Sequence, residues 1–193
     1  MVHAILDEGL IGHAAFCVDG QPYAIPMLYA RDGEQLYMHG SPVSRLLQQL
    51  VHGVPMCFTV TLVDGLVLAR SAFHHSINYR SVVVLGEASV VRDEHAKQEA
   101  LRMIVDHVVA GRSDDVRGPS ERELKVTEVV CLPLREVSAK VRTGPPIDGK
   151  DDYAIPAWAG EVPLRIVAGA PVPDEHCEAA VPSYLSSYER HRA

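Results

Sequence analysis

Turn chemistry constrains this chain most tightly. Within the first 65 residues, Asp-Gly pairs at 19–20, 32–33 and 64–65 separate short apolar runs at 11–18, 23–29, 35–39, 56–63 and 66–70. An Asp-Gly pair readily takes the left-handed backbone that a two-residue hairpin demands, so each one predicts a reversal between neighbouring antiparallel strands. Strands reversed in this way build a meander that curls on itself. A mainly β (α+β) domain is expected, a small closed or partly closed antiparallel barrel with a few flanking helices. Pro26 interrupts the second run, and a residue without an N–H belongs at a strand edge or a bulge.

Helical signals are few. Residues 3–9 (HAILDEG) read as the end of a helix with Gly9 as its stop, and the chain begins almost inside that helix. Leu46, Leu47 and Leu50 form a stripe suited to a short amphipathic helix over 43–50. Asp93 is placed to cap a helix over 94–109 that turns Ala100, Leu101, Ile104, Val105 and Val108 to one side. Residues 71–81 (SAFHHSINYRS) read as a loop or short helical segment ahead of the strongest strand signal, 82–91, which is expected to bend at Gly86. Residues 113–126 read as loop with a helical turn, 126–130 and 132–141 as strands, and 162–167 as a last apolar run. The expected organisation is one domain over 1–168 and a surface arm over 169–193.

A chain of 193 residues, 47% apolar and 22% charged, can bury one sizeable core. It contains no run able to span a bilayer and no secretory leader, so a cytoplasmic protein without a membrane partner is expected. Eighteen basic against 25 acidic residues give a charge of −7, which speaks against a nucleic-acid partner and leaves room for a local anion site. Cys17, Cys57, Cys131 and Cys177 stand 40 or more residues apart and form no CxxC pair. They read as reduced, mostly buried thiols rather than a disulfide framework or zinc site, and no metal site is expected.

Phosphate-loop, GxGxxG, HExxH and GxSxG patterns are all absent, which removes the usual support for nucleotide hydrolysis, a Rossmann site, a metalloprotease and an α/β-hydrolase. Histidines are numerous, ten in all. His74 and His75 are adjacent, so on a regular strand they face opposite ways and read as hydrogen-bonding loop residues rather than a joint chelate. The segment 39–47 (HGSPVSRLL) ends a strand and starts a helix, with Gly40 permitting close approach and Ser41, Ser44 and Arg45 supplying two hydroxyls and a guanidinium. That set suits a phosphate, though a serine cap beside a solvated arginine accounts for it equally simply. Arg80 lies beside Asn78, Tyr79 and Ser81; it reads either as a second anion-binding group or as a structural ion pair with Glu87 or Asp64.

Three strings, LYMHGSPVSRLLQQL, GVPMCFTVTLVDGLVLARSAFHHSINYRSVVVLGEA and SAKVRTGPPIDGKDDYAIPAWAGEVPL, resemble the pyridoxamine 5′-phosphate oxidase-related, flavin-nucleotide-binding proteins. The resemblance covers roughly residues 5–166. It implies an FMN-binding split barrel that works as a homodimer with the flavin between subunits. By that resemblance Pro26, Met27 and Leu28 lie along the ring, His39, Gly40, Ser41, Ser44 and Arg45 hold ribityl and phosphate, and Ser81 contacts the ring beside Tyr79 and Arg80. Departures from the oxidases are equally clear: Ser44-Arg45 replaces an Arg–Lys pair, YAIPMLY carries no basic residue, and KVRTGPP and PAWAG replace the C-terminal Trp and Arg region. Lys140, Arg142 and Trp158 are the candidates to serve the site there. Relatives often carry a further N-terminal segment; Met1 need not be the native start, and a segment missing here would help cover the flavin.

The activity implied is that of an FMN-dependent oxidoreductase passing electrons from a small-molecule donor to a small-molecule acceptor, not true pyridoxamine phosphate oxidation. His39, Arg80 or a backbone amide would stabilise the reduced ring. A nitroaromatic acceptor is a specific variant, with His74 or His75 near the substrate. Two alternatives stand beside it: a haem-binding split barrel using histidine as axial ligand, and a cofactor-free binding protein.

Overall fold

A computed structural model describes residues 1–186, 188 and 189. The chain opens with α1 (Val2–Glu8), then β1 (Ile11–Val18), β2 (Gln21–Asp32) and β3 (Gln35–Gly40). The first two Asp-Gly pairs make the expected reversals, with Asp19, Gly20 and Gly33 at positive φ and β1–β2 and β2–β3 paired antiparallel. Next come α2 (Arg45–Leu50), β4 (Pro55–Leu68), β5 (Ser76–Glu87) and β6 (Ser89–Val90). They are followed by α3 (Glu94–Val108), α4 (Arg112–Asp115), α5 (Glu121–Lys125), β7 (Glu128–Pro133), β8 (Glu136–Arg142), β9 (Gly160–Pro163) and α6 (Ser183–Ser186).

The strands form one sheet in the order β6-β7-β3-β2-β1-β4-β5-β8, with β9 added to β4. The sheet curls because β5 runs almost directly into β6 at its opposite end. Leu85 pairs with Cys57 in β4, and four residues on Ser89 pairs with Cys131 in β7. The break falls at buried Ala88 rather than at Gly86, which stays in register opposite Met56. Gly86 instead gives room to Leu132, whose Cδ1 would lie 3.3 Å from an added Cβ. Phe58, Val60, Val82, Val84, Leu36, Met38 and Leu132 fill the half-barrel.

Several sequence expectations are corrected. Asp64-Gly65 makes no hairpin: β4 continues through it, with a register shift between Val63 and Gly65. Residues 76–81 belong to β5, and only Ala72–His74 form a 3-10 turn. The strand break expected at Cys131 lies after Pro133. On α3, Ala100 and Ile104 are buried but Val105 is exposed, because His107 takes the inward place and reaches the Gly9 carbonyl at 2.6 Å. Gly9 stops α1 at φ −66 and not by left-handed backbone; an added Cβ would lie 2.5 Å from Val60 Cγ1. The apolar run at 162–167 pairs with β4 through Pro163, the Leu164 amide donates to the Asp64 carbonyl at 3.0 Å, and Ile166 and Val167 are left exposed.

The cysteines are free, but Cys17 and Cys177 are exposed and Cys57 and Cys131 only half-buried, so none is the buried thiol expected. Beyond β9 the chain is exposed until α6, where Tyr184 bonds Arg112 and Asp115 and Tyr188 donates to the Val108 carbonyl. Ser187 and residues 190–193 of the expected arm lie outside the described residues. Among the described residues no helix is long and apolar enough to cross a membrane.

Candidate functional site

The barrel is split along one edge of β2. That strand pairs with β1 over its first eight residues, Gln21 to Leu28, but with β3 only from Tyr29 to Asp32. Among the described residues, the edge of residues 21–28 away from β1 therefore has no strand partner, and Pro26, opposite His13, costs no ladder hydrogen bond there. Between this edge and α2 opens a cavity of about 410 Å³. Pro26, Met27, Leu28, His39, Gly40, Ser41, Ser44 and Arg45 all line it, together with Ile25, Leu46 and Leu47. Ile25 was legible as a neighbour of Pro26; the two leucines read from sequence only as core.

Each lining group has a local cause. Gly40 ends β3 against α2 so closely that an added Cβ would lie 2.8 Å from Leu47 Cδ2. Ser44 caps α2, its hydroxyl oxygen accepting from the Leu47 amide at 3.3 Å, which leaves its hydrogen to donate elsewhere. Arg45 Nη1 donates to the Tyr23 hydroxyl at 2.7 Å, with its guanidinium carbon 5.0 Å from the Tyr23 ring centroid. Tyr23 is itself stacked on Phe16 at 5.3 Å. A cation on an exposed side chain is thereby held at the cavity mouth.

His39 is the chemically unfinished residue. Its Nδ1 is buried without a hydrogen-bond partner among the described residues. Burial also pushes its pKa below the usual histidine value, so the ring is neutral near pH 7. An unpaired polar atom in a cavity wall costs stability unless a ligand completes it. The unpartnered strand edge, two hydroxyls, one guanidinium and this imidazole suit a flavin ring with a phosphate-bearing tail.

The other six candidates lie elsewhere. On β5, Tyr79 and Ser81 face outward opposite Arg142 and Lys140 of β8, and Lys140 Nζ lies 5.8 Å from the Tyr79 ring centroid. Arg142 donates to Asn78 Oδ1 and the Gly144 carbonyl. Trp158 is 65% exposed and packs near Gly160. Arg80 points inward, where Nη1 and Nη2 grip Glu8 at 2.6 and 2.8 Å and Nε and Nη2 grip Asp64 at 2.9 Å each. Of its two readings, the ion pair with Asp64 holds; Glu8 joins it and Glu87 does not. His74 and His75 stand on the turn before β5, and among the described residues no three His, Cys, Asp or Glu side chains gather to hold a metal ion.

Curled sheet and edge cavity together define a split-barrel protein. The pyridoxamine 5′-phosphate oxidase family profile matches residues 1–141, and the chain belongs to that family. The flavocytochrome Anf3 from Azotobacter vinelandii is 39% identical, with 97% of this chain and 88% of that one covered at a TM-score of 0.90. A FAD and haem binding protein from Mycobacterium smegmatis is 34% identical over 95% of this chain and 91% of its own, at a TM-score of 0.89. A FAD-binding protein from Mesorhizobium loti shares the fold, at 18% identity and a TM-score of 0.53 over 74% of this chain and 93% of its own. No curated protein matches the chain.

Proposed function

We propose that this chain is a flavin-dependent redox protein, working as a homodimer, that carries FAD and a non-covalently held haem. The observation that carries the flavin is the cavity walled by the open β2 edge, His39 and Arg45. The haem is supported by likeness to two proteins whose names include flavocytochrome or haem. That likeness spans 97% and 95% of the chain, and so runs well past the family match that ends at residue 141. The absence of a CxxCH sequence fits a haem without covalent attachment.

FAD, rather than the FMN that the family resemblance implies, is supported by likeness to a FAD and haem binding protein at 34% identity over 95% of the chain. Among the described residues, Arg45 is the cation that lines the cavity.

Bound flavin and haem together supply conversion between two-electron and one-electron redox chemistry. The chain's own contribution is positional. Arg45 offers its planar fork to phosphate, Ser41 and Ser44 offer hydroxyl donors, and the β2 edge offers backbone groups to the polar edge of the ring. Neutral His39 completes one further hydrogen bond. The reductant and the final acceptor are small molecules.

A second copy of the chain has a surface to cover. On the outward sheet face Leu28 pairs with Ile11, Val63 with Tyr79 and Cys57 with Leu85, and Ile11, Val63, Leu28 and Leu85 are 51, 49, 41 and 41% exposed. Exposed apolar side chains gathered on one sheet face, interleaved with Thr59, Thr61 and Ser81, suit an interface. Free thiols, two of them exposed, suit the reducing cytoplasm.

The test is the absorbance spectrum of protein purified without added cofactor, with the released flavin identified chromatographically and haem measured as its pyridine complex. Flavin released as FAD, together with a Soret band, is the expected result. Release of FMN alone would overturn the FAD assignment, and a protein that stays colourless after incubation with both cofactors would overturn the whole reading.

A further inference from the structure

The chain between β9 and α6 does not have the composition of a solvated loop. Residues 166–173 read IVAGAPVP, without one charged or hydroxyl-bearing side chain. Every residue from Glu161 to Val181 is nonetheless exposed, with Ile166, Val167 and Val172 at 88, 81 and 89%. Among the described residues the hydrogen bonds of this segment are local: the Cys177 amide donates to the Asp174 carbonyl at 3.1 Å and the His176 amide to Asp174 Oδ1 at 2.8 Å. A segment that lives in solvent is polar or charged, and a loop of this length without secondary structure commonly carries a function.

Both ends are fastened, and to neighbouring places. The Leu164 amide donates to the Asp64 carbonyl at 3.0 Å. At the other end Arg112 donates to the Tyr184 hydroxyl at 3.0 Å and Tyr188 donates to the Val108 carbonyl at 2.8 Å. Asp64 is joined through Arg80 to Glu8, and Gly9, the next residue, is joined to His107 beside Val108. The intervening chain is an arm looped out from one region of the body. At about 3.3–3.6 Å per extended residue, such a segment tethered at both ends can reach roughly 30 Å. That is most of the way across a domain of this size, roughly 40 Å.

The place where the arm leaves decides its occupant. Asp64 follows Val63, which shares the exposed outward sheet face with Ile11, Leu28 and Leu85. The arm therefore starts at the rim of the face ascribed above to a second copy, and a copy seated there is the first other surface it meets. Two-fold symmetry makes the contact reciprocal. Pro171 and Pro173 lack the N–H that strand addition uses, so the contact is made by side chains rather than by an added strand.

We propose that residues 166–173 of each copy lie across the outward sheet face of the other and clasp the homodimer. The proposal rests on the homodimer reading above, and the two fail separately. Wild type and a triple variant carrying Ile166→Ser, Val167→Ser and Val172→Ser are compared as purified. Sedimentation velocity over a dilution series gives the dissociation constant, and mixing with a tagged copy gives the rate of subunit exchange. Circular dichroism confirms the fold, which changes at three exposed positions leave intact.

The expected result is a wild-type dimer whose dissociation constant rises roughly 100-fold or more in the variant, with faster subunit exchange, because apolar side chains on both arms lose their cover. If wild type is a dimer and the variant matches it in dissociation and exchange, the clasp is overturned while the homodimer stands. If wild type stays monomeric at every concentration, both fall.

Discussion

Arg80→Met separates a structural arginine from a phosphate-binding one. The Arg80 side chain is 17% exposed, and its partners Glu8 and Asp64 are 11% and 17% exposed. Four hydrogen bonds of 2.6–2.9 Å join them. The triad ties the end of α1 and the irregularity in β4 to β5. Methionine keeps most of the volume but leaves two carboxylates facing each other. Removing one partner of a fully buried pair costs about 3–5 kcal/mol, and the residual exposure here places the loss at the lower end, about 3 kcal/mol. In a chain of this length each kcal/mol lowers Tm by about 2–4 °C, so a drop of about 6–12 °C is expected in the flavin-free protein. The arginine's own proton is not involved: both carboxylates raise its pKa, so its contribution is fully present below the ordinary arginine value, which includes every working pH. Differential scanning calorimetry, with flavin titration beside it, measures both melting and affinity. A variant that melts within a degree of wild type and loses flavin affinity would refute the reasoning.

Arg45→Ala should weaken flavin binding by roughly 10- to 100-fold, the worth of a charge-assisted hydrogen bond, while Tyr23→Phe, which removes only the 2.7 Å tether, should cost a few-fold; fluorescence titration reads both. Burial lowers the His39 pKa, so the unfolded chain takes up a proton that the folded cavity resists. Wild-type stability should therefore fall as pH drops below about 6.5, and urea melts of His39→Leu should be flatter in that window. Gly12→Ala should destabilise by about 1–3 kcal/mol or more, because the added Cβ would lie 2.1 Å from Phe58 Cζ, a clash that thermal melting would register.

Local signals served where the structure is local. The cavity residues fall within one stretch, 25–47, where a hairpin edge, a strand end and a serine cap are read directly from turn and capping chemistry. Asp64-Gly65 misled because the same dipeptide serves a hairpin or a bulge. What decides between them is Arg80 on the neighbouring strand, 16 residues on, which holds the Asp64 carboxylate inside the sheet. The expected loop over 71–81 failed for the same reason: its polar residues Asn78 and Arg80 look solvent-seeking until Glu161, Glu8 and Asp64 are brought to them by distant segments.

One part of the site reading turns on strand parity once β5 is seen to begin at Ser76. Tyr79, Arg80 and Ser81 were placed together on a flavin, but three consecutive residues of a strand cannot share a face. Once β5 is a strand, either the arginine or its two neighbours must turn to the core. Val82 and Val84 fix the parity: both are fully buried, so even-numbered residues point inward and Arg80 goes with them. The inward side is also where carboxylates wait. Tyr79 and Ser81 are left outward, opposite Arg142 and Lys140, on the face proposed to meet a second copy. In a homodimer these four groups would serve the partner's cavity rather than their own. Mixing Arg45→Ala subunits with Lys140→Ala subunits tests this. If each cavity draws on both chains, the mixed dimer keeps one cavity with both groups intact and binds flavin more tightly there than either parent dimer.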